Sequence, residues 1–111
     1  KIFKETCEIN WNQPVKRVYD CIRGLSPYPG AWTTLVTPDG KEMVLNIFRT
    51  TKTSNSPTGR VGQIVADRKH LNISASDGLL QIDELQLAGK KRMDAVAFLN
   101  GMKEIENYFV R

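Results

Sequence analysis

Apolar residues recur at helical spacing near the start of the chain. Four of them form one stripe, and charged residues occupy positions away from it. The stripe consists of Val15, Val18, Tyr19 and Ile22. Asn12 stands where a cap would accept a bond from the first turn, and Pro14 suits that turn because its missing amide would be unpaired. Gly24 follows the last helical residue, where a left-handed cap is usual. The pattern predicts an N-terminal helix.

Further along the chain the pattern changes to short β-branched and aromatic runs between turn residues. Five of these runs predict strands: 31–37, 43–50, 61–67, 71–75 and 79–87. Pro38-Asp39-Gly40 and Asp77-Gly78 predict hairpin turns, and Gly62 indicates a bulge or a close approach of two backbones. The polar run 51–59 is interpreted as a loop. A helix before and after such strands favours a mainly β fold, a small antiparallel barrel of about five strands.

A second helix is predicted to follow the last of these strands. Gly89 allows the chain to leave the strand, and Asp94 can cap the helix. Met93 and Phe98 have the spacing of a hydrophobic staple over that cap. Apolar residues at helical spacing after Met102 predict that the tail continues or repacks this C-terminal helix.

Three adjacent cations, Lys90, Lys91 and Arg92, occupy the connection between the last strand and this helix. They have little apolar surface to cover there, so we expect them to point into water. Such a patch suits a phosphate ligand, and a solvated surface turn is the alternative. The formal net charge is +4, which favours an anionic partner without requiring one.

A stiff connection, 26–30, contains two prolines with Tyr28 between them, and Trp32 follows it. Tyr28 and Trp32 either pack this connection or present rings to a partner, including an unpaired base. Trp32 and Phe48 lie in apolar alternation, which indicates core positions.

Catalytic chemistry is not indicated by the sequence. His70 has no evident orienting partner and is predicted to be an exposed turn residue. Asp83 and Glu84 are adjacent carboxylates, but neighbours on a strand face opposite sides. Nucleophile-elbow and Walker motifs are absent from the sequence. We therefore expect no catalytic residue in this chain.

The two cysteines, Cys7 and Cys21, fall in different predicted elements. They make neither a zinc motif nor a disulfide framework, so no metal site is expected and both thiols are expected to be reduced. A disulfide between them is the less favoured alternative. No run of eighteen apolar residues and no signal peptide is present in the sequence.

Two longer blocks carry a resemblance to a known family. Gly-Lys-Lys-Arg-Met at 89–93, followed by an acidic cap and Phe-Leu-Asn-Gly at 98–101, resembles the C-terminal domain of methionyl-tRNA formyltransferase. The block at 22–33, Ile-Arg-Gly-Leu-Ser-Pro-Tyr-Pro-Gly-Ala-Trp-Thr, is similar to that family's helix-to-strand passage. The resemblance covers roughly residues 9–101.

The resemblance implies both a fold and a domain organisation. The barrel would be OB-like, residues 1–8 would be the tail of an interdomain linker, and 9–111 would be a C-terminal OB-like tRNA-binding domain. A catalytic domain, absent from this chain, would precede it and transfer a formyl group from 10-formyltetrahydrofolate to the amino group of methionyl-tRNA. The implied partners are initiator methionyl-tRNA and that N-terminal domain, and we expect a cytoplasmic monomer with no membrane attachment.

The resemblance also implies a basic face that holds the tRNA. The strongest candidates for this face are Lys90, Lys91 and Arg92, and the next is Arg23 at the helix end. Four further cations are proposed only because they lie near barrel loops: Arg49, Lys41, Lys52 and Arg60. Contacts of this kind reach phosphates and sugars, and set position rather than read bases.

Two alternatives remain open from the sequence. A related formyltransferase acting on a sugar nucleotide or on folate would use the barrel structurally, and would have no evident need for the basic connection. A free-standing OB domain that binds single strands would place aromatic rings on the barrel face for base stacking.

Overall fold

The computed structural model describes residues 7–25, 30–53, 56, 60–102 and 104–111. Within these residues the chain forms two helices, α1 (Val15–Leu25) and α2 (Ala95–Gly101). The strands are β1 (Ala31–Val36), β2 (Glu42–Lys52), β3 (Ile64–Ala66), β4 (Leu71–Ser74), β5 (Leu79–Leu87), β6 (Met93–Asp94) and β7 (Phe109–Val110). The expectations for Tyr28 and for most of the 51–59 loop fall on residues outside this description.

The strands form one antiparallel sheet that curls into a nearly closed barrel. Its order is β3-β4-β5-β2-β1-β7, and the short β6 pairs with β5. The two ends of this order meet where Gln63 bridges Phe109 and the Val110 amide donates to the Gly62 carbonyl at 2.9 Å. The predicted mainly β fold, with one helix before the strands and one after them, is confirmed.

The barrel interior is filled by apolar side chains from the strands and from α1. Val18 and Ile22 of α1 are buried, so the helix closes one side of the core. Phe98 of α2 is buried in the same cluster. The fully buried strand residues include Leu35, Leu45, Ile47, Leu71, Ile73, Leu80, Ile82 and Leu85.

The predicted caps of α1 are both wrong. The backbone amide of Val15 donates to Asp77 Oδ1 at 2.8 Å, so the cap comes from the β4–β5 turn rather than from Asn12. Gly24 is helical, and the positive φ of 87° belongs to Gly30, whose amide donates to the Leu25 carbonyl at 2.8 Å. A tertiary contact therefore sets the start of this helix, and a local bond from Gly30 closes its end.

The sequence next to α2 correctly predicts how this helix begins. The Ala97 amide donates to Asp94 Oδ1 at 2.8 Å, which confirms the cap. Gly89 has a φ of 80°, as its place at the end of β5 predicts. Met93 and Phe98 both belong to or pack against the core.

The prediction that the tail continues the C-terminal helix is wrong. Met102 caps α2 in an extended conformation, and a single 3-10 turn follows at Ile105–Asn107. The chain then forms β7, which pairs with β1 through Val110 and satisfies polar groups on that strand's open edge. Across the described residues, no helix has the length and apolarity needed to cross a membrane.

Candidate nucleic-acid interface

An irregularity in the pairing of β2 with β5 builds the candidate site. The pairing is regular as far as Ile47 with Leu85. An extra residue on β2 then makes the next pair Arg49 with Glu84, and an extra residue on β5 makes the one after it Thr50 with Ile82. Phe48 and Asp83 are the residues passed over. Such bulges re-aim side chains. Alternation is lost here, and two consecutive residues on each strand face away from the core.

The prediction that Asp83 and Glu84 face opposite sides is therefore wrong. Ile82 and Leu85 are both buried, while the two carboxylates between them are only partly buried and share the outer surface. Both approach one guanidinium: Arg49 nitrogens lie 4.0 Å from Asp83 Oδ2 and 3.8 Å from Glu84 Oε2.

Arg92, the third cation of the basic connection, covers the bulge. Its guanidinium carbon lies 4.3 Å from the centre of the Phe48 ring, and its Nη2 donates to Glu84 Oε1 at 2.6 Å. Phe48 is half-buried on the outer side of β2 and Trp32 is half-buried on β1. Neither belongs to the core cluster, so the prediction of core positions for these two rings is wrong.

A second cation–aromatic group lies beside the first, between α1 and β2. Lys52 Nζ is 5.0 Å from the centre of the Tyr19 ring, and the Arg23 guanidinium carbon is 5.9 Å from it. A cavity of about 270 Å³ separates the two groups, and it is lined by Tyr19, Ile22, Arg23, Phe48, Arg49 and Thr50. Arg23 also approaches Asp20 at 3.6 Å.

These two groups make one continuous surface, which we call the cation–aromatic face. It comprises Tyr19, Arg23, Phe48, Arg49, Lys52 and Arg92. Its four cations meet three carboxylates, Asp20, Asp83 and Glu84, which leaves a net charge of +1. Lys90 and Lys91 adjoin it as exposed residues in the turn between β5 and β6.

Two of the predicted site residues lie elsewhere. Lys41 is in the turn between β1 and β2, where its amide donates to Thr37 Oγ1. Arg60 lies at the seam of the barrel, with its guanidinium carbon 5.9 Å from the centre of the Phe109 ring. Six of the eight predicted cations therefore share one region, and these two do not.

His70, Asp67 and the two cysteines lie outside the cation–aromatic face. His70 is 53% exposed in the β3–β4 turn, which confirms its prediction as an exposed turn residue. Its ring nitrogen lies 3.2 Å from Asp67, and the amides of Lys69 and His70 hold the pKa of Asp67 below its usual value. Cys7 and Cys21 are not joined in a disulfide, and burial raises the pKa of Cys21. Within the described residues, no cluster of three or more potential metal ligands occurs.

Comparison with known proteins identifies the family. Residues 1–103 match the model described as formyl transferase, C-terminal domain. The chain is 51% identical over 111 residues to the methionyl-tRNA formyltransferase of Parabacteroides distasonis, covering 99% of this chain and 34% of that protein. It is 50% identical over 109 residues to the Bacteroides fragilis enzyme of the same name, covering 97% of this chain and 34% of that enzyme.

A third relative, the methionyl-tRNA formyltransferase of Porphyromonas gingivalis, is 45% identical over 103 residues, covering 91% of this chain and 32% of that protein. The chain thus spans about a third of the length of the curated relatives it matches. The match to the family model extends over almost the whole sequence and agrees with the two sequence blocks that carry the resemblance. The chain belongs to the formyl transferase C-terminal domain family.

Proposed function

We propose that this chain is the C-terminal, tRNA-binding domain of a bacterial, cytoplasmic methionyl-tRNA formyltransferase. Residues 1–8 end the interdomain linker, and 9–111 form the domain. The preceding domain transfers a formyl group from 10-formyltetrahydrofolate to the amino group of methionyl-tRNA for translation initiation. The observation that carries the proposal is the cation–aromatic face, on a chain whose relatives bear this enzyme's name.

The geometry of the face supports phosphate binding. Arg92 and Lys52 each lie over an aromatic ring, so part of the conformational freedom of these long side chains is already lost. Arg23 and Arg49 are 71% and 61% exposed, which leaves their nitrogen donors open to a ligand. A guanidinium fork matches two phosphate oxygens, so these side chains suit a sugar–phosphate backbone.

The same geometry does not favour single-strand binding by base stacking. Stacking proteins present open aromatic faces to successive bases. The Tyr19 and Phe48 rings are both half-buried, and each already has a cation over it. The rings therefore hold cations in place, and the cations make the contacts with RNA.

In the full-length enzyme such contacts would act at a distance from the chemistry. Backbone contacts fix the position and orientation of a nucleic acid on a protein. Holding the body of the tRNA here would direct its aminoacyl end to the preceding domain, and binding energy from this remote contact would lower the barrier for formyl transfer. This domain would supply no reacting group.

The test is a salt series of tRNA binding by the full-length enzyme. Lys52→Gln/Arg92→Gln removes two charges from the cation–aromatic face, and Lys41→Gln/Arg60→Gln removes two charges outside it. We expect the first variant to reduce the slope of log affinity against log salt by about 1.5 to 2, and to lower kcat/KM for methionyl-tRNA. The second variant should retain the wild-type slope.

Equal slopes in the two variants and the wild type would contradict the assignment of tRNA contacts to this face. The same preparations should be assayed with methionyl-tRNA and with sugar nucleotides as formyl acceptors. Formylation of the sugar nucleotide alone would overturn the proposed substrate and leave the barrel a structural role.

A further inference from the structure

A groove of about 670 Å³ lies on a part of the surface that the tRNA proposal does not use. Its walls come from three segments: residues 8–12, the turn at 60–63, and the C-terminal residues 106–111. We call it the terminal groove, because both ends of the described chain line it. None of the six residues of the cation–aromatic face lines it.

The terminal groove is held in shape by backbone hydrogen bonds. The Ile9 amide donates to the Trp32 carbonyl at 2.8 Å, which fixes the first wall on β1. The Gly62 carbonyl accepts from the Val110 amide at 2.9 Å, which joins the other two walls. A partner would therefore meet a preformed surface, with little ordering left to do on binding.

Exposed apolar side chains are concentrated at this groove. In the part of the chain that the structure describes, three large apolar residues are classed as exposed, namely Val61, Val96 and Phe109. Val61 and Phe109 line the groove at 42% and 36% exposure, while Val96 lies alone on α2. A single exposed valine is ordinary, but adjacent apolar side chains in a concavity indicate a contact surface.

The charges around the groove favour a protein partner over RNA. Its lining contains two carboxylates, Glu8 and Glu106, as well as two arginines, Arg60 and Arg111. Carboxylates repel phosphates, and Arg111 is engaged in an ion pair with Glu42. An apolar centre with a polar rim of both signs is the usual composition of a protein interface.

The position of the groove identifies the occupant. The relatives are about three times as long as this chain, and the matched part is their C-terminal domain. Residues 8–12, the part of the described chain that is nearest in sequence to the preceding domain, form one wall of this groove. We infer that the terminal groove docks the preceding domain of the full-length enzyme, which presents an apolar patch to Val61 and Phe109.

Tethering makes a modest groove sufficient for this role. A covalent linker raises the effective concentration of a neighbouring domain to the millimolar range. Interfaces between domains of one chain are accordingly often small and partly polar. This inference rests on the part of the proposed function that places a further domain before this one, and not on tRNA binding, so the tRNA assignment can fail without it.

The test, in the full-length enzyme, compares two valines that have nearly the same exposure in this domain alone, 42% for Val61 and 44% for Val96. Val61→Cys lies in the groove and Val96→Cys, at 44% exposure, lies on α2. Maleimide labelling is followed at each cysteine by peptide mass spectrometry across a pH series. The rate constants are then compared for the thiolates, which removes differences in thiol pKa. If the domain is docked at least about nine-tenths of the time, the cysteine at 61 should react at least about tenfold more slowly.

Equal thiolate rate constants at the two positions would overturn the inference, because the groove would then be open. Slower labelling at 61 that disappears on dilution would also overturn it, since a second copy would be the occupant. Slower labelling that requires added tRNA would overturn it in favour of nucleic acid. Concentration-independent protection without tRNA is the supporting result.

Discussion

Glu84 holds the two arginines that meet at the β2–β5 bulge. It accepts from Arg92 at 2.6 Å and lies 3.8 Å from Arg49, and its side chain is 31% exposed. In the free protein it orients the Arg92 guanidinium by a hydrogen bond and attracts that of Arg49 at longer range. In the proposed tRNA complex, the same carboxylate would repel the phosphates that approach them. Under the proposed function, the charge of Glu84 would therefore oppose tRNA binding, while its oxygen atoms order Arg92.

Glu84→Gln separates these two effects, because glutamine keeps an oxygen acceptor for Arg92 and loses the charge. We expect tRNA affinity to rise about 3- to 10-fold and the salt slope to steepen, with the change in stability staying below about 1 kcal/mol. Filter binding across a salt series measures the first two quantities. Glu104→Gln, an exposed glutamate outside the cation–aromatic face, should change the affinity much less. Weaker binding by Glu84→Gln would show that ordering the arginines outweighs the repulsion.

At the level of single residues, the sequence shows which cations could bind an anionic ligand, but it does not show which of them lie together on one face. Six of the eight predicted cations share one region, because the strand ends of a small barrel lie close to one another. The sequence pattern places Tyr19 in an apolar stripe and Phe48 in the core, and it does not predict the contact of either ring with a cation. The bulge does interrupt the alternation of β5, where Asp83 and Glu84 stand between the buried Ile82 and Leu85, but the β2 residue that it brings to them depends on the pairing of the two strands.

Helix α1 begins at a contact between distant parts of the chain. Its first amide, from Val15, donates to Asp77, which is 62 residues away in the β4–β5 turn. The loss of an N-terminal cap costs about 0.5 to 2 kcal/mol. We expect Asp77→Ala to lower the free energy of unfolding by about 1 kcal/mol, as measured by urea denaturation.

Asn12→Ala is the matched control for this cap. Asn12 has the sequence position of a cap, yet the structure gives its side chain no hydrogen bond to α1 within the described residues. The substitution should therefore change the free energy of unfolding by less than about 0.5 kcal/mol. A larger loss for Asn12→Ala than for Asp77→Ala would restore the local cap and contradict the tertiary one.

The two helices show which part of a helix boundary is readable from sequence. The cap of α2 comes from Asp94, the residue immediately before the helix, so a local pattern is enough. The cap of α1 comes from a residue whose proximity depends on the completed barrel. Local sequence identifies the helix in both cases, and it identifies the cap only when the partner is local.

For the whole molecule, closure of the barrel is the feature that sequence patterns could not predict. The closing strand, β7, has two residues, Phe109 and Val110, which are too few to show alternation. The apolar residues around it fit helical spacing equally well, which produced the wrong prediction for the tail. Strand β7 pairs with the edge of β1 and makes a backbone hydrogen bond to Gly62.

Gly62 is the position where closure can be tested. Its φ is +89°, and a Cβ built on it would lie 2.1 Å from the Val110 carbonyl oxygen, so Gly62→Ala must push β7 away from the β3 side. Gly40 has a φ of +91° with nothing within 4 Å, so Gly40→Ala carries the backbone strain alone, about 1 to 2 kcal/mol. We expect Gly62→Ala to cost about 3 to 5 kcal/mol in urea denaturation. Equal losses would mean that β7 yields freely and that the barrel does not depend on this seam.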